Sequence, residues 1–308
     1  MGFIPSVPVT EDFVCYDFAA SIPSHRLETI PTIDFHTFWS ASGSTFSDRH
    51  LDALRSFFAT QNETNTKLTL WIPPEDEQVL LASVAWQKIT KHAANEHIHY
   101  KLAEWEKLTL ETPFAPSLDT WKNSGYVGAN DLVRLFVLYQ YGGVWFDFGT
   151  LFVRDLTPIL SKQEWIAQGD CHTSTGGNPF DKNMLRFQKH SPYLCEMLHE
   201  ASTQLQGQQS YPSTHLASDN YFGSKLYYRI YRKLLKHHVK SWSVLPWCFT
   251  NPSECYGDNS VPRASSGSRY NRKRLEQVFA YHLHGPWLDK SGSIMNDLVN
   301  THKKYVGW

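Results

Sequence analysis

Residues 125–160 read GYVGANDLVRLFVLYQYGGVWFDFGTLFVRDLTPIL, and two periodicities change places inside them. Leu132, Leu135, Phe136, Leu138 and Tyr139 recur at helical spacing. Asn130 or Asp131 stands where a side-chain oxygen caps a first turn. Gly142-Gly143 then supplies a stop, because glycine readily takes the left-handed conformation that ends helices. Val144-Trp-Phe146 follows as a short buried strand, and Asp147 is the first charge after it. A carboxylate at the C-terminal end of a buried parallel strand faces the crevice where open α/β sheets bind ligands.

Upstream, the same alternation continues. Ile30 to Trp39 is an aromatic and β-branched run stopped by Ser-Ala-Ser-Gly-Ser, which predicts a strand. Leu51, Leu54, Phe57 and Phe58 predict a helix over 48–59, with Ser47 or Asp48 as cap. Strands are expected at 68–72 and 98–105, with a helix over 75–93 between them. Strand, helix, strand, helix, strand is the rhythm of an α/β unit with a mostly parallel sheet. Beyond residue 160 the pattern loosens into helices near 191–204 and 219–238, a loop-rich stretch over 248–272, and a last strand over 278–284. The proline-punctuated residues 1–29 read as an arm. Residues 30–308 read as one domain, with 161–308 carrying helical and loop additions.

Composition narrows the class. The 308 residues carry 29 Lys plus Arg against 30 Asp plus Glu, so no broad basic surface for nucleic acid is expected. Aromatics reach 14%, which excludes disorder as the main state. No apolar run approaches the roughly 20 residues of a transmembrane helix, and the N-terminus lacks the pattern of a signal peptide. Cys15, Cys171, Cys195, Cys248 and Cys255 are odd in number and scattered, and they are expected to be reduced thiols. Cys248 and Cys255 stand close enough to close a small loop if oxidised. Asn62-Glu63-Thr64 is a sequon, read as a chance match for want of a leader. The expected location is cytoplasmic, unless a leader or anchor has been removed. Asp147-Phe-Gly149 also spells a kinase metal motif, but no glycine loop, catalytic loop or strand lysine precedes it in the required order.

Asp131-Leu-Val-Arg134 followed by Tyr141-Gly-Gly-Val-Trp-Phe-Asp147 resembles the signature of DXD-type, retaining nucleotide-sugar glycosyltransferases, the group that includes fungal mannosyltransferases and capsular polysaccharide synthesis-type enzymes. Ile30 to Trp39, Lys101-Leu-Ala-Glu-Trp-Glu106 and His282-Leu-His284-Gly-Pro-Trp287 are similar to other motifs of that family, in the expected order. The resemblance implies a GT-A-like, Rossmann-type sheet flanked by helices, with a nucleotide-sugar-binding half at 30–160 and an acceptor side at 161–308. It implies Asp131, Arg134 and Asp147 as catalytic residues. Donor-binding residues would be Trp39 as base platform, Asn130, Asp131, Arg134, Asn183 and Trp287. The implied activity is hexosyl transfer with retention, from a nucleotide-sugar donor (a UDP-sugar favoured over GDP-mannose) to the hydroxyl of a small or lipophilic acceptor. Aromatic residues of the C-terminal half, among them Phe222, Tyr227, Trp242 and Trp247, are candidates to line an apolar acceptor cleft.

One position departs from the pattern. The second Asp of the DXD motif is Gly149 here. In the family that carboxylate commonly binds Mn2+ or Mg2+. The expected metal set is therefore Asp147, helped by His282 or His284, with a metal-free site and a degenerate donor-binding protein as alternatives.

Overall fold

A computed structural model describes residues 14–23, 32–92, 98–160, 163–171, 179–207, 221–255, 261–262, 270–284 and 292–308. Nine strands are present among them: β1 (Ile33–Phe38), β2 (Thr66–Ile72), β3 (Ile98–Leu102), β4 (Gly143–Phe146), β5 (Thr150–Phe152), β6 (Trp165–Gln168), β7 (Phe180–Phe187), β8 (Ser243–Leu245) and β9 (Ala280–His282). Seven of them form one sheet in the order β3-β2-β1-β4-β7-β6-β8, and β5 pairs with β9 separately. β1, β2, β3 and β4 run parallel, β7 runs antiparallel to both β4 and β6, and β8 is parallel to β6. The mostly parallel sheet flanked by helices is the expected α/β architecture.

The sheet carries apolar side chains on both faces, which is why its strands read as continuous hydrophobic runs. Phe35, Leu70, Val144 and Phe146 belong to one core, together with Leu54 and Phe57 of the helix Asp48–Thr60. Trp71, Trp145 and Leu185 point the other way, into a second core with Leu132 and Phe136 of the helix Ala129–Tyr141. Adjacent residues such as Val144 and Trp145 fall in different cores because strand side chains alternate with period two.

The glycine pair after that second helix has a steric reason. A Cβ on Gly143 would lie 2.1 Å from the carbonyl oxygen of Asp34, and one on Gly142 would lie 2.6 Å from the Lys189 nitrogen. Both residues also sit at positive φ. Only glycine lets β4 close on β1 there, and the seam is held further by His36, whose Nε2 bonds the Gly142 carbonyl at 3.0 Å.

Several expectations change. The Ala129–Tyr141 helix is capped by left-handed Gly128, so Asn130 and Asp131 lie inside its first turn. The helix expected over 75–93 breaks at Ser83 into Glu77–Ala82 and Val84–His92. Trp105 starts a helix rather than ending β3. Within the expected arm, Val14–Ser21 is a helix with Cys15, Tyr16 and Ala19 buried in the first core. It is anchored covalently, because Cys15 is bonded to Cys248 and Cys171 to Cys255, leaving Cys195 free. The thiols are thus mostly oxidised, and Cys248 and Cys255 pair with other partners instead of each other. Spacing along the chain concealed these pairs, which are 233 and 84 residues apart. No described helix is long and apolar enough to cross a membrane.

Candidate active site

The chain runs from β1 outward to β2 and β3, then returns to the other side of β1 as β4. Open α/β sheets bind ligands where strand order reverses in this way, beyond the C-terminal ends of the strands. Asp147 follows the end of β4, and Trp39 follows the end of β1. Both residues therefore stand at the switch point.

A chain of charges is assembled around Asp147. Arg134 lies 3.1 Å from Asp131 and 3.7 Å from Asp147, bridging the two carboxylates. It also donates to the carbonyls of Asn130 and Lys182. The helix supplies Asp131 and Arg134 one turn apart on one face, and β4 supplies Asp147 opposite them. Lys182 reaches Asp131 at 3.3 Å. It arrives because β7 runs antiparallel beside β4, so that the Asp147 amide bonds the Asn183 carbonyl at 3.0 Å. Trp145 donates its indole N–H to Asp147 at 2.7 Å.

Exposure separates the roles within this chain. The Arg134 side chain is 3% exposed, against 27% for Asp147 and 30% for Lys182. Asp147 and Lys182 are thus open to solvent in part, while Arg134 is enclosed between the two carboxylates. Burial would strip Arg134 of its charge, but the carboxylates of Asp147 and Asp131 around it hold it more firmly protonated than usual. Burial pushes the Asp147 carboxyl above its ordinary range, and Arg134 and the Trp145 bond pull against that rise.

The remaining predicted residues are placed unevenly. Trp39 has the expected position, but its ring is 3% exposed, packed edge-on against Phe46, and its N–H is spent on the Ser44 carbonyl. It presents no open stacking face. Asn130 is exposed at the helix start, and Asn183 is buried beside Asp147. Trp287 lies outside the described residues. Of the C-terminal aromatics, Phe222, Tyr227, Trp242 and Trp247 are buried in the cores, whereas Tyr221, Tyr228 and Tyr231 are partly exposed. Lys182 and Asp181 join the site without being expected there from the sequence. Asp181-Lys182-Asn183 after a glycine-rich loop was the available signal.

Gly149 has a structural occupant beside it. A Cβ there would lie 2.5 Å from Cε1 of His282 and 3.2 Å from both ring nitrogens. The imidazole occupies the volume that a second DXD carboxylate needs. Gly149 is required for close approach, and its φ lies outside the left-handed region.

The donors present fit a divalent ion in part. His282 is buried and held neutral, its pKa pushed down to about 3 by desolvation, so its imidazole is in the ligating form. Asp181 Oδ2 is buried with no hydrogen-bond partner, and its charge is felt at both His282 and Asp147. His284 is committed elsewhere, its Nε2 lying 3.0 Å from Asn251 Oδ1. Among the described residues no three His, Cys, Asp or Glu side chains form a ready-made metal set. Asp147, the first residue of the expected metal set, already faces Arg134 at 3.7 Å and accepts from Trp145 at 2.7 Å, so of that set His282 offers the uncommitted donor, and an ion here would draw on it, on the unpartnered Asp181 oxygen and on phosphate oxygens of a ligand.

Parts of the chain are similar to known proteins. Residues 83–168 match the family described as glycosyltransferase sugar-binding region containing DXD motif. The chain is 27% identical over 120 residues to inositol phosphoceramide mannosyltransferase 3 of Schizosaccharomyces pombe, a match covering 37% of this chain and 32% of that protein. The match thus spans about a third of the curated relative's length. Among solved structures, the PaToxG glycosyltransferase is similar with a TM-score of 0.48 and 12% identity, covering 67% of this chain and 70% of that one. The apo-form glycosyltransferase GlyE of Streptococcus pneumoniae is similar with a TM-score of 0.44 and 13% identity, covering 90% of this chain and 60% of that one. Over residues 83–168, then, the chain is similar to the sugar-binding region of DXD-motif glycosyltransferases, with glycine at the motif's last position.

Proposed function

We propose that the protein is a retaining glycosyltransferase that binds a nucleotide sugar at the β1–β4 switch point and transfers a hexosyl group to an acceptor hydroxyl. The observation that carries this is the Asp131–Arg134–Asp147 chain, set at the C-terminal end of a parallel strand within the segment matching the sugar-binding region. Carboxylates fixed in this way offer directional acceptors for sugar or ribose hydroxyls. Lys182, partly exposed beside Asp131, is a cation that can meet the departing diphosphate, and Arg49 adds to the positive field at His282. A divalent ion held by Asp181 and His282 would supply further positive charge to the same phosphates.

In the transfer, the bond from the anomeric carbon to the phosphate oxygen breaks as the acceptor oxygen bonds from the same face. The acceptor's proton passes to the departing phosphate oxygen. No carboxylate nucleophile is required, and buried Arg134 keeps Asp131 and Asp147 oriented throughout. The name of the fission-yeast relative supports a lipid-like acceptor bearing free hydroxyls. That name also supports testing GDP-mannose beside the favoured UDP-sugars as donor.

Gly149 favours one second reading, a donor-binding protein that has lost turnover. Calorimetric titration with UDP- and GDP-sugars, followed by donor hydrolysis with and without EDTA, separates the two. Binding with hydrolysis supports the transferase, and binding without hydrolysis selects the degenerate form. No binding of any nucleotide sugar refutes both.

A further inference from the structure

We infer that this chain matures in an oxidising, glycosylating compartment and that Asn62 is an N-glycosylation site. The inference stands apart from the donor-site reading and rests on different residues.

Four of the five cysteines are paired. Cys15, Cys171, Cys248 and Cys255 are at most 3% exposed, and their Cα atoms stand 6.1 and 5.4 Å apart, within the span a disulfide needs. The two long-range disulfides, which tie the N-terminal helix and the segment after β6 to Cys248 and Cys255, are structural. Structural disulfides form and persist where thiols are not kept reduced. Each bond forms as two thiols surrender two protons and two electrons to a dithiol–disulfide exchange partner.

The sequon occupies the turn between the helix Asp48–Thr60 and β2. Glu63 and Thr64 are exposed, and Asn62 is partly so. Asn62 Oδ1 accepts from the Thr64 amide at 3.2 Å and from the Thr64 hydroxyl at 2.9 Å. Carboxamide and hydroxyl are thus held face to face, and both bonds use the oxygen. The nitrogen that glycosylation modifies takes part in neither. The turn is pinned from below by bonds of the Asn65 amide and the Thr66 hydroxyl to the Asn62 carbonyl.

Position makes the modification compatible with a working site. Thr66 begins β2, and β2 is parallel to β1, which is parallel to β4. Asn62 therefore lies at the N-terminal end of the sheet, opposite the strand ends that carry Asp147. A glycan there projects away from the crevice. In the transfer, an N-glycosidic bond forms between Asn62 Nδ2 and the anomeric carbon of a lipid-diphosphate oligosaccharide. The sugar–phosphate bond breaks with its electron pair on the departing diphosphate, and the nitrogen loses a proton.

The test uses the full chain purified from the cells that make it, with thiols blocked at lysis. One blocked thiol, on Cys195, is expected, together with a mobility shift on treatment with peptide N-glycosidase that converts Asn62 to Asp. Asn62→Gln and Thr64→Ala should each remove the shift without altering donor binding. Five blocked thiols, or an Asn62 recovered entirely unmodified, would overturn the inference.

Discussion

Gly149→Ala is the substitution whose consequence is most directly set by the geometry. The added Cβ would lie 2.5 Å from His282 Cε1, whereas carbons pack comfortably at about 3.5–4.0 Å. Roughly an ångström must be found. The imidazole is not free to give it. His282 sits on β9 paired across from Thr150, its amide is bonded to the Thr250 carbonyl at 2.8 Å, and its ring lies 3.3 Å from the Thr150 hydroxyl and edge-on to His284. Overpacking in such a place costs about 1–3 kcal/mol, and Gly149→Asp, which recreates the family's second carboxylate, should cost at least as much. His282→Ala opens the volume at its own expense. In the double variant Gly149→Ala/His282→Ala the two losses should fall short of their sum by about 1–2 kcal/mol, because one change fills what the other vacates. Urea unfolding of the four proteins measures this coupling. A Gly149→Ala loss within about 0.5 kcal/mol, or zero coupling, would show that His282 yields freely and that its ring does not exclude the second carboxylate.

Other expectations follow from the same geometry. Arg134→Ala leaves the carboxylates of Asp131 and Asp147 without their bridge, so about 3–5 kcal/mol of stability should disappear along with transfer, whereas Lys182→Ala, at the exposed rim, should weaken donor binding with little change in melting temperature. A Lys182→Ala variant with wild-type donor affinity would remove that residue from the site. Burial holds His36 and His282 near a pKa of about 3 and His50 and His302 near about 4, all below the unfolded value of 6.5. Their stabilisation is complete above pH 6.5 and is lost as pH falls toward those values, at up to about 1.4 kcal/mol per pH unit for each group. Asp52 and Asp147, raised by burial, offset part of this loss. Urea unfolding at pH 7 and pH 5 checks the sign, and equal stability at both would contradict it. Reduction of the Cys171–Cys255 bond, which closes 84 residues, should cost about 4–5 kcal/mol by loop entropy, read as a lower denaturant midpoint that Cys171→Ala reproduces.

What the sequence determined by itself was everything encoded within a few residues. The strand–helix alternation, the glycine turn at 142–143, the strand-end position of Asp147 and the one-turn spacing of Asp131 and Arg134 are local patterns, and local geometry fixes them. The fold class followed from the alternation, and the expected donor region from the order of two short motifs. Only the tertiary structure decided the rest. Lys182 and Asp181 reach the crevice because β7 pairs antiparallel with β4, a register set by strands some forty residues apart. Trp39 stands at the strand end as expected, yet Phe46 and Ser44 bury and bond it. Gly149 reads as a missing ligand in sequence and as a packing contact in space, because its neighbour His282 arrives from 133 residues downstream on β9. The cysteine pairs were hidden for the same reason. A side chain's propensity is written in its immediate neighbours, but its partner is chosen by the chain's long-range closure, and no local period records that choice.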